Sequence, residues 1–169
     1  HGQDTFTYTI ESASGNIASA MVTVTIQPQP DAVIAVDDAR STLEDTPVTV
    51  SVINNDINPD GGPLIITATN PSNGNVLVNA DNTITYTPNT NFNGDDVFTY
   101  TITSEDNFSD TATVAITVVP VNDPVKANAD SSTTDEDVPV LINVLANDEN
   151  VDGDALTVSI ASNPSNGSV

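Results

Sequence analysis

The sequence predicts an all-β protein built from tandem copies of one antiparallel sandwich module, about seven strands and about 92 residues long. Three observations carry this expectation. Asp96-Val97-Phe98-Thr99-Tyr100-Thr101-Ile102 alternates large apolar with small polar residues, the period of a strand with one buried face. Phe6 to Ile10 repeat Phe98 to Ile102 letter for letter, 92 positions earlier. Thr, Val, Ile, Asn and Asp dominate, as in strands separated by turns, and no segment shows a helical period.

The offset holds from end to end. Pro28 falls on Pro120 and Asp31 on Asp123. Glu44-Asp45-Thr46-Pro47-Val48 falls on Glu136-Asp137-Val138-Pro139-Val140, Asn55-Asp56 on Asn147-Asp148, and Asp60-Gly61 on Asp152-Gly153. After one inserted residue, Asn70-Pro71-Ser72-Asn73-Gly74 falls on Asn163-Pro164-Ser165-Asn166-Gly167. Residues 1–34 are therefore expected to be the C-terminal part of a first module, 35–126 a complete module, and 127–169 the N-terminal part of a third. The array is expected to be cut out of phase, as a segment of a longer protein.

Within the complete module the strands are expected in this order. Arg40 to Leu43 reads as a short edge strand, and Pro47 to Ile53 alternates Val48, Val50 and Val52. Leu64 to Thr69 carries Leu64 and Ile66, Asn75 to Val78 carries Val76 and Val78, and Thr83 to Thr87 carries Ile84 and Tyr86. Val97 to Thr103 turns Phe98, Tyr100 and Ile102 inward, and Thr111 to Val119 carries Val114, Ile116 and Val118. Turn signals separate them: the Asn-Pro-Asp-Gly-Gly-Pro run at 58–63, Asn73-Gly74, Asp81-Asn82, Asn93-Gly94 and Asp106-Asn107. Residues 127–169 are expected to hold the first four or so strands of a sandwich, and residues 1–34 the last two.

A formal net charge of −22, from 24 acidic residues against two basic ones, excludes a nucleic-acid footprint and disfavours an anionic membrane surface. No apolar run is long enough to span a bilayer, so no membrane insertion is expected. With no Cys there is no disulfide, thiolate metal site or Cys nucleophile. His1 is the only His, so neither a general base nor a Ser triad is expected. Carboxylate pairs of the kind that cleave glycosides lie in loops, in a chain without Trp. The expectation is a protein that is not an enzyme.

Hard oxygen ligands are plentiful. Asp56-Ile57-Asn58-Pro59-Asp60-Gly61 has the form Asp-x-Asn-x-Asp-Gly, and its copy is Asp148-Glu149-Asn150-Val151-Asp152-Gly153-Asp154. Alternate residues of a curled loop can aim several oxygens at one centre, Gly permits the bend, and such ligands suit calcium. The EF-hand Glu is missing, its position being Thr67 or Ser159. Further ligands must come from elsewhere, with Glu44, Asp45, Glu136, Asp137, Asp37, Asp38, Asn122, Asp123 and Asp130 as candidates. The alternative is a set of ordinary Asx turns on a solvated acidic surface. Because the complete module carries 13 acidic residues and two basic ones, bound cations would relieve its self-repulsion and fix the angle between modules.

Six motifs stand in register: Glu-Asp-Thr-Pro-Val at 44–48, Asn-Asp-x-x-Pro-Asp-Gly at 55–61, Tyr-Thr-Pro at 86–88, Asn-Phe-Asn-Gly at 91–94, Phe-Thr-Tyr-Thr at 98–101 and Pro-Val-Asn-Asp-Pro at 120–124. In this order they resemble the cadherin-like, immunoglobulin-like tandem repeats of large bacterial surface adhesins and secreted proteins. The resemblance covers the whole chain and implies Ig-like/cadherin-like β-sandwich modules. It further implies an extracellular or cell-surface repeat that commonly binds calcium and serves as a spacer or adhesive stalk. Such repeats also occur appended to secreted enzymes.

The function expected is thus structural and adhesive: a calcium-stiffened spacer in a long bacterial surface or filament protein. Its partners would be neighbouring repeats, joined head to tail, in one version through strand complementation between the front of one copy and the tail of another. The alternatives are an Ig-like module that binds a cell-surface glycan or protein, and an accessory repeat of a secreted enzyme.

Overall fold

A computed structural model describes residues 1–159 and 162–169. Among them, nine strands fall into three sheets. Strands β1 (Gly2–Glu11) and β2 (Ile17–Ile26) form an antiparallel hairpin. The complete module holds the other seven: β3 (Asp38–Leu43), β4 (Val48–Val50), β5 (Leu64–Ala68), β6 (Gly74–Val78), β7 (Ile84–Pro88), β8 (Gly94–Ser104) and β9 (Ser109–Val119). One sheet has the order β3-β9-β8-β5 and the other β4-β7-β6.

The two sheets close on one core. Alternation along β8 and β9 sends Phe98, Tyr100, Ile102, Val114, Ile116 and Val118 inward, where they meet Val50, Ile84 and Tyr86 from the facing sheet. The rings of Tyr86 and Phe98 stack across the interface with centroids 6.5 Å apart. Gly74 is required by this packing. A Cβ there would lie 2.6 Å from the ring of Tyr86, fully buried in the core, and 2.7 Å from the Thr87 carbonyl oxygen of the neighbouring strand. Gly74→Ala is expected to cost about 2 kcal/mol of stability by overpacking, read as a lower urea midpoint.

All seven expected strands are present, with three differences. The segment expected as one strand from Pro47 to Ile53 stops at Val50, and Val52–Asn54 form a turn of 3-10 helix that still buries Val52. The edge strand β3 runs parallel to β9, against the expectation of a purely antiparallel sandwich. Residues 127–169 form no regular strand among the described residues, against the four or so expected. The reason is the pairing. In the complete module β3 pairs only with β9, β4 and β6 only with β7, and β5 only with β8. No front strand pairs with another front strand, and residues 127–169 contain counterparts of front strands alone.

The repeat is visible in three dimensions. Phe6 opposes Val22 in the hairpin, as Phe98 opposes Val114 in the complete module. Ile34 and Ile57 exchange both backbone hydrogen bonds at 2.9 Å, and their copies Lys126 and Glu149 do the same at 3.0 and 2.9 Å. Where the first pair is two Ile, the side chains of the second form an ion pair at 2.6 Å. These bridges, with Val33 buried, draw Val33 and Ile34 into the complete module and Lys126 into the next.

Candidate metal centre at the module junction

Where the complete module ends, its last strand must hand the chain to the next module. Glu44 sits in the tight turn after β3. Its amide donates to the Val119 carbonyl at 2.9 Å, and its Oε1 accepts the Val121 amide. This holds a Glu side chain buried, 5% exposed, at the root of the linker. Asp123 follows in the linker, and its amide donates to Asp152 Oδ2 of the following module at 2.8 Å.

Glu44, Asp123 and Asp152 each offer a carboxylate oxygen, and these oxygens all lie within 4.8 Å of one another. Among the described residues no other group of three or more acidic or His side chains converges in this way. Asp123 Oδ2 is buried without a hydrogen-bond partner. Burial first, then the charges of Asp152, Glu44 and Asp45, push the Asp123 carboxyl above the usual Asp range. Three converging carboxylates, with an unpartnered oxygen on Asp123, are hard donors of the kind a divalent cation takes. The residues present fit a calcium ion.

The linker half of this arrangement recurs one repeat earlier. The Asp31 amide donates to Asp60 Oδ2 at 2.8 Å, the copy of the Asp123–Asp152 bond. Asp60 and Asp152 are therefore junction residues, although the sequence places them in a loop motif.

The rest of that motif is aimed elsewhere. Asp56 Oδ1 accepts the Val36 amide at 2.8 Å and the Tyr100 hydroxyl at 2.7 Å, while Asn58 Nδ2 donates to the Gly62 carbonyl at 2.7 Å. In the copy, Asp148 Oδ1 accepts the Asn128 amide at 2.8 Å, and Asn150 Nδ2 donates to the Asp154 carbonyl. Each loop thus directs its first Asp inward to the fold, Asn across its own turn, and the Asp before Gly, Asp60 or Asp152, to the junction.

The remaining candidates are dispersed. Asp45 stands beside Glu44 and accepts the Asn91 amide at 3.0 Å through Oδ1; Asn122 Nδ2 reaches the Asp123 carbonyl at 3.4 Å. Glu136 and Asp137, the copies of Glu44 and Asp45, are exposed. Asp38 lies near Asp56, and each has an Oδ2 that is buried without a partner. Burial first, then the charge of Asp56, raises the Asp38 carboxyl, with Arg40 acting against the rise. Its copy Asp130 lines an open cleft with Val144 and Asp148. Asp37 accepts the Thr113 amide at 2.8 Å, which holds its carboxyl low.

Asp96 lies outside the candidate ligands of the sequence, yet it is buried and accepts the Tyr86 hydroxyl and the Asn73 amide, both at 3.0 Å. Its position at the head of the repeated strand motif, matched by Asp4, was the available signal.

Seven strands in two packed sheets, a repeated frame and an acidic junction define a tandem β-sandwich repeat. A family model described as bacterial Ig domain matches residues 30–117 and 122–169, and the chain belongs to that family. Domains of this family are typically extracellular or surface-located. No relative is found among curated proteins. Among solved structures, the chain is similar to two endo-fucoidan hydrolases of glycoside hydrolase family 107. One is a variant of MfFcnA4, at 17% identity and TM-score 0.41, covering 71% of this chain and 19% of that one. The other is MfFcnA9, at 17% identity and TM-score 0.41, covering 69% of this chain and 22% of that one. The chain thus spans about a fifth of the length of those enzymes. Among the described residues no helix is long and apolar enough to cross a membrane.

Proposed function

We propose that the chain is a run of extracellular structural repeats, a spacer in a long bacterial surface or filament protein, whose modules are fixed end to end by calcium. The observation that carries this reading is the convergence of Glu44, Asp123 and Asp152, which come from a module, the linker after it and the module beyond. A cation held by all three ties the linker to both its neighbours. Without it, like charges about 4 Å apart repel by about 4 kcal/mol at a surface-like dielectric, and the junction is free to bend. Asp45 and Asn122 stand close enough in sequence to complete the ligand set. The copy of the linker bond at Asp31 and Asp60 supports one such site per junction.

The partners are neighbouring repeats. Covalent continuation of the array fits better than strand complementation between separate copies. Joining residues 127–169 to residues 1–34 leaves out the counterpart of β7, the central strand of its sheet, with Ile84 and Tyr86 fully buried in the complete module. The role is mechanical and adhesive, not catalytic. Thermal unfolding of the full chain in EDTA and in calcium tests the reading; an unchanged midpoint defeats it.

A further inference from the structure

We infer that the complete module is a load-bearing unit in which tension along the chain is resisted by the parallel β3–β9 ladder and the two carboxylates that extend it. The inference needs only strand order and hydrogen bonding, and it stands with or without a cation at the junction.

β3 is the first strand of the complete module and β9 the last, and the chain reaches β3 by way of the Ile34–Ile57 bridge ahead of it. The two strands are parallel, with Asp38 opposite Val114 and Leu43 opposite Val119. Tension pulls β3 by its N-terminal end and β9 by its C-terminal end. Those ends lie at opposite extremes of the ladder, so the strands are driven past each other and their hydrogen bonds are loaded together. If the two terminal strands were antiparallel, both pulling points would lie at one end, and the ladder would open one bond at a time.

The ladder outlasts the strands at both ends. Ahead of the first pair, the Thr113 amide donates to Asp37 Oδ1 at 2.8 Å. Beyond the last, the Glu44 amide donates to the Val119 carbonyl at 2.9 Å and the Val121 amide donates to Glu44 Oε1. Asp37 and Glu44 supply charged acceptors at the two ends of the β3 ladder, and hydrogen bonds of this type are the stronger kind. On its other side β9 is held by β8 over the longer register from Gly94↔Val118 to Thr103↔Ser109. Rupture therefore falls on the β3 side.

The chain has no Cys, so attachment points can be introduced singly. In the full chain in EDTA, handles at Gln29→Cys and Val125→Cys load the ladder along its length, whereas Pro47→Cys and Val125→Cys load it from one end. At the same constant force the first geometry is expected to survive at least about tenfold longer. Asp37→Ala, at an exposed position, is expected to shorten the lifetime in the first geometry about fivefold. In the second geometry, which reaches Asp37 last, the change is expected to stay within about twofold. Equal lifetimes in the two geometries overturn the proposal, and so does an Asp37→Ala chain that lasts as long as the parent along the ladder. Because EDTA is present throughout, a failure of calcium to bind leaves this result unaffected.

Discussion

Tyr100→Phe is expected to lower the unfolding free energy of the complete module by about 3 kcal/mol, the upper part of the range for a hydrogen bond to a charged group. Phe preserves the fully buried ring and its packing, so the change isolates the hydroxyl. That hydroxyl donates to Asp56 Oδ1 at 2.7 Å and lies 3.0 Å from the Val36 carbonyl oxygen and 3.3 Å from that of Val52. Its removal leaves the Asp56 carboxylate on the Val36 amide alone, with Oδ2 already unpartnered. Burial first, then the hydrogen bond to Asp56, push the Tyr100 hydroxyl far above its ordinary pKa, so it remains a donor throughout the accessible pH range. Tyr86→Phe should cost less, about 1.5 kcal/mol, because Asp96 keeps the Asn73 and Val97 amides at 3.0 Å each. Tyr8→Phe, the same substitution one repeat earlier on an exposed hairpin, should leave the urea midpoint unmoved. A loss at Tyr100 under about 1 kcal/mol would mean that water replaces the hydroxyl and that the latch contributes little.

This latch also marks how far the sequence could be read. Period-2 alternation located β5 to β9 to within a few residues, because alternation is a property of one strand facing one core. The pairing of strands is a property of two segments, and alternation is silent about it. Nothing in Arg40 to Leu43 says that its partner is β9 or that the two run parallel. The same blindness produced the expectation of strands in residues 127–169. Their apolar pattern is sound, but every partner they need belongs to the other half of a module. Val52 shows the converse: the alternation predicted its burial correctly, while the backbone carrying it is a 3-10 turn.

At the junction, Glu44, Asp123 and Asp152 were all legible as oxygen ligands, but so were a dozen other residues. Composition and turn motifs select residue types, whereas convergence depends on how the linker folds back. Glu44 is separated from Asp123 by the whole of the module, and no local spacing rule spans that distance. The repeat held the missing clue. Asp31 and Asp60 stand at the same separation as Asp123 and Asp152, and a bond that recurs at both places identifies the Asp before Gly in each loop as a linker contact.

Calcium should raise the thermal midpoint of the full chain substantially. Extracellular calcium modules bind with dissociation constants of about 10⁻⁴ to 10⁻³ M. At calcium about 100 times a constant of 10⁻⁴ M, an ion that binds only the folded state adds about 2.7 kcal/mol. For a domain of this size each kcal/mol moves the midpoint by about 4–8 °C, so the expected rise over EDTA is about 10–20 °C. The site draws on both sides of the junction, and truncation therefore tests it. Residues 31–126 alone keep Val33, Ile34, Glu44 and Asp123 but lose Asp152, and should lose most of the rise. Glu44→Gln in the full chain removes one charge from the ligand set while its amide oxygen can still accept the Val121 amide, so it should abolish the rise with little change in EDTA. Asp56→Asn separates this site from the loop motif in the opposite sense. It perturbs the Tyr100 latch and should lower the midpoint with and without calcium, leaving the difference between them intact. If Asp56→Asn erased the calcium response and Glu44→Gln spared it, the ion would belong to the loop, and the junction would be a hinge with no metal in it.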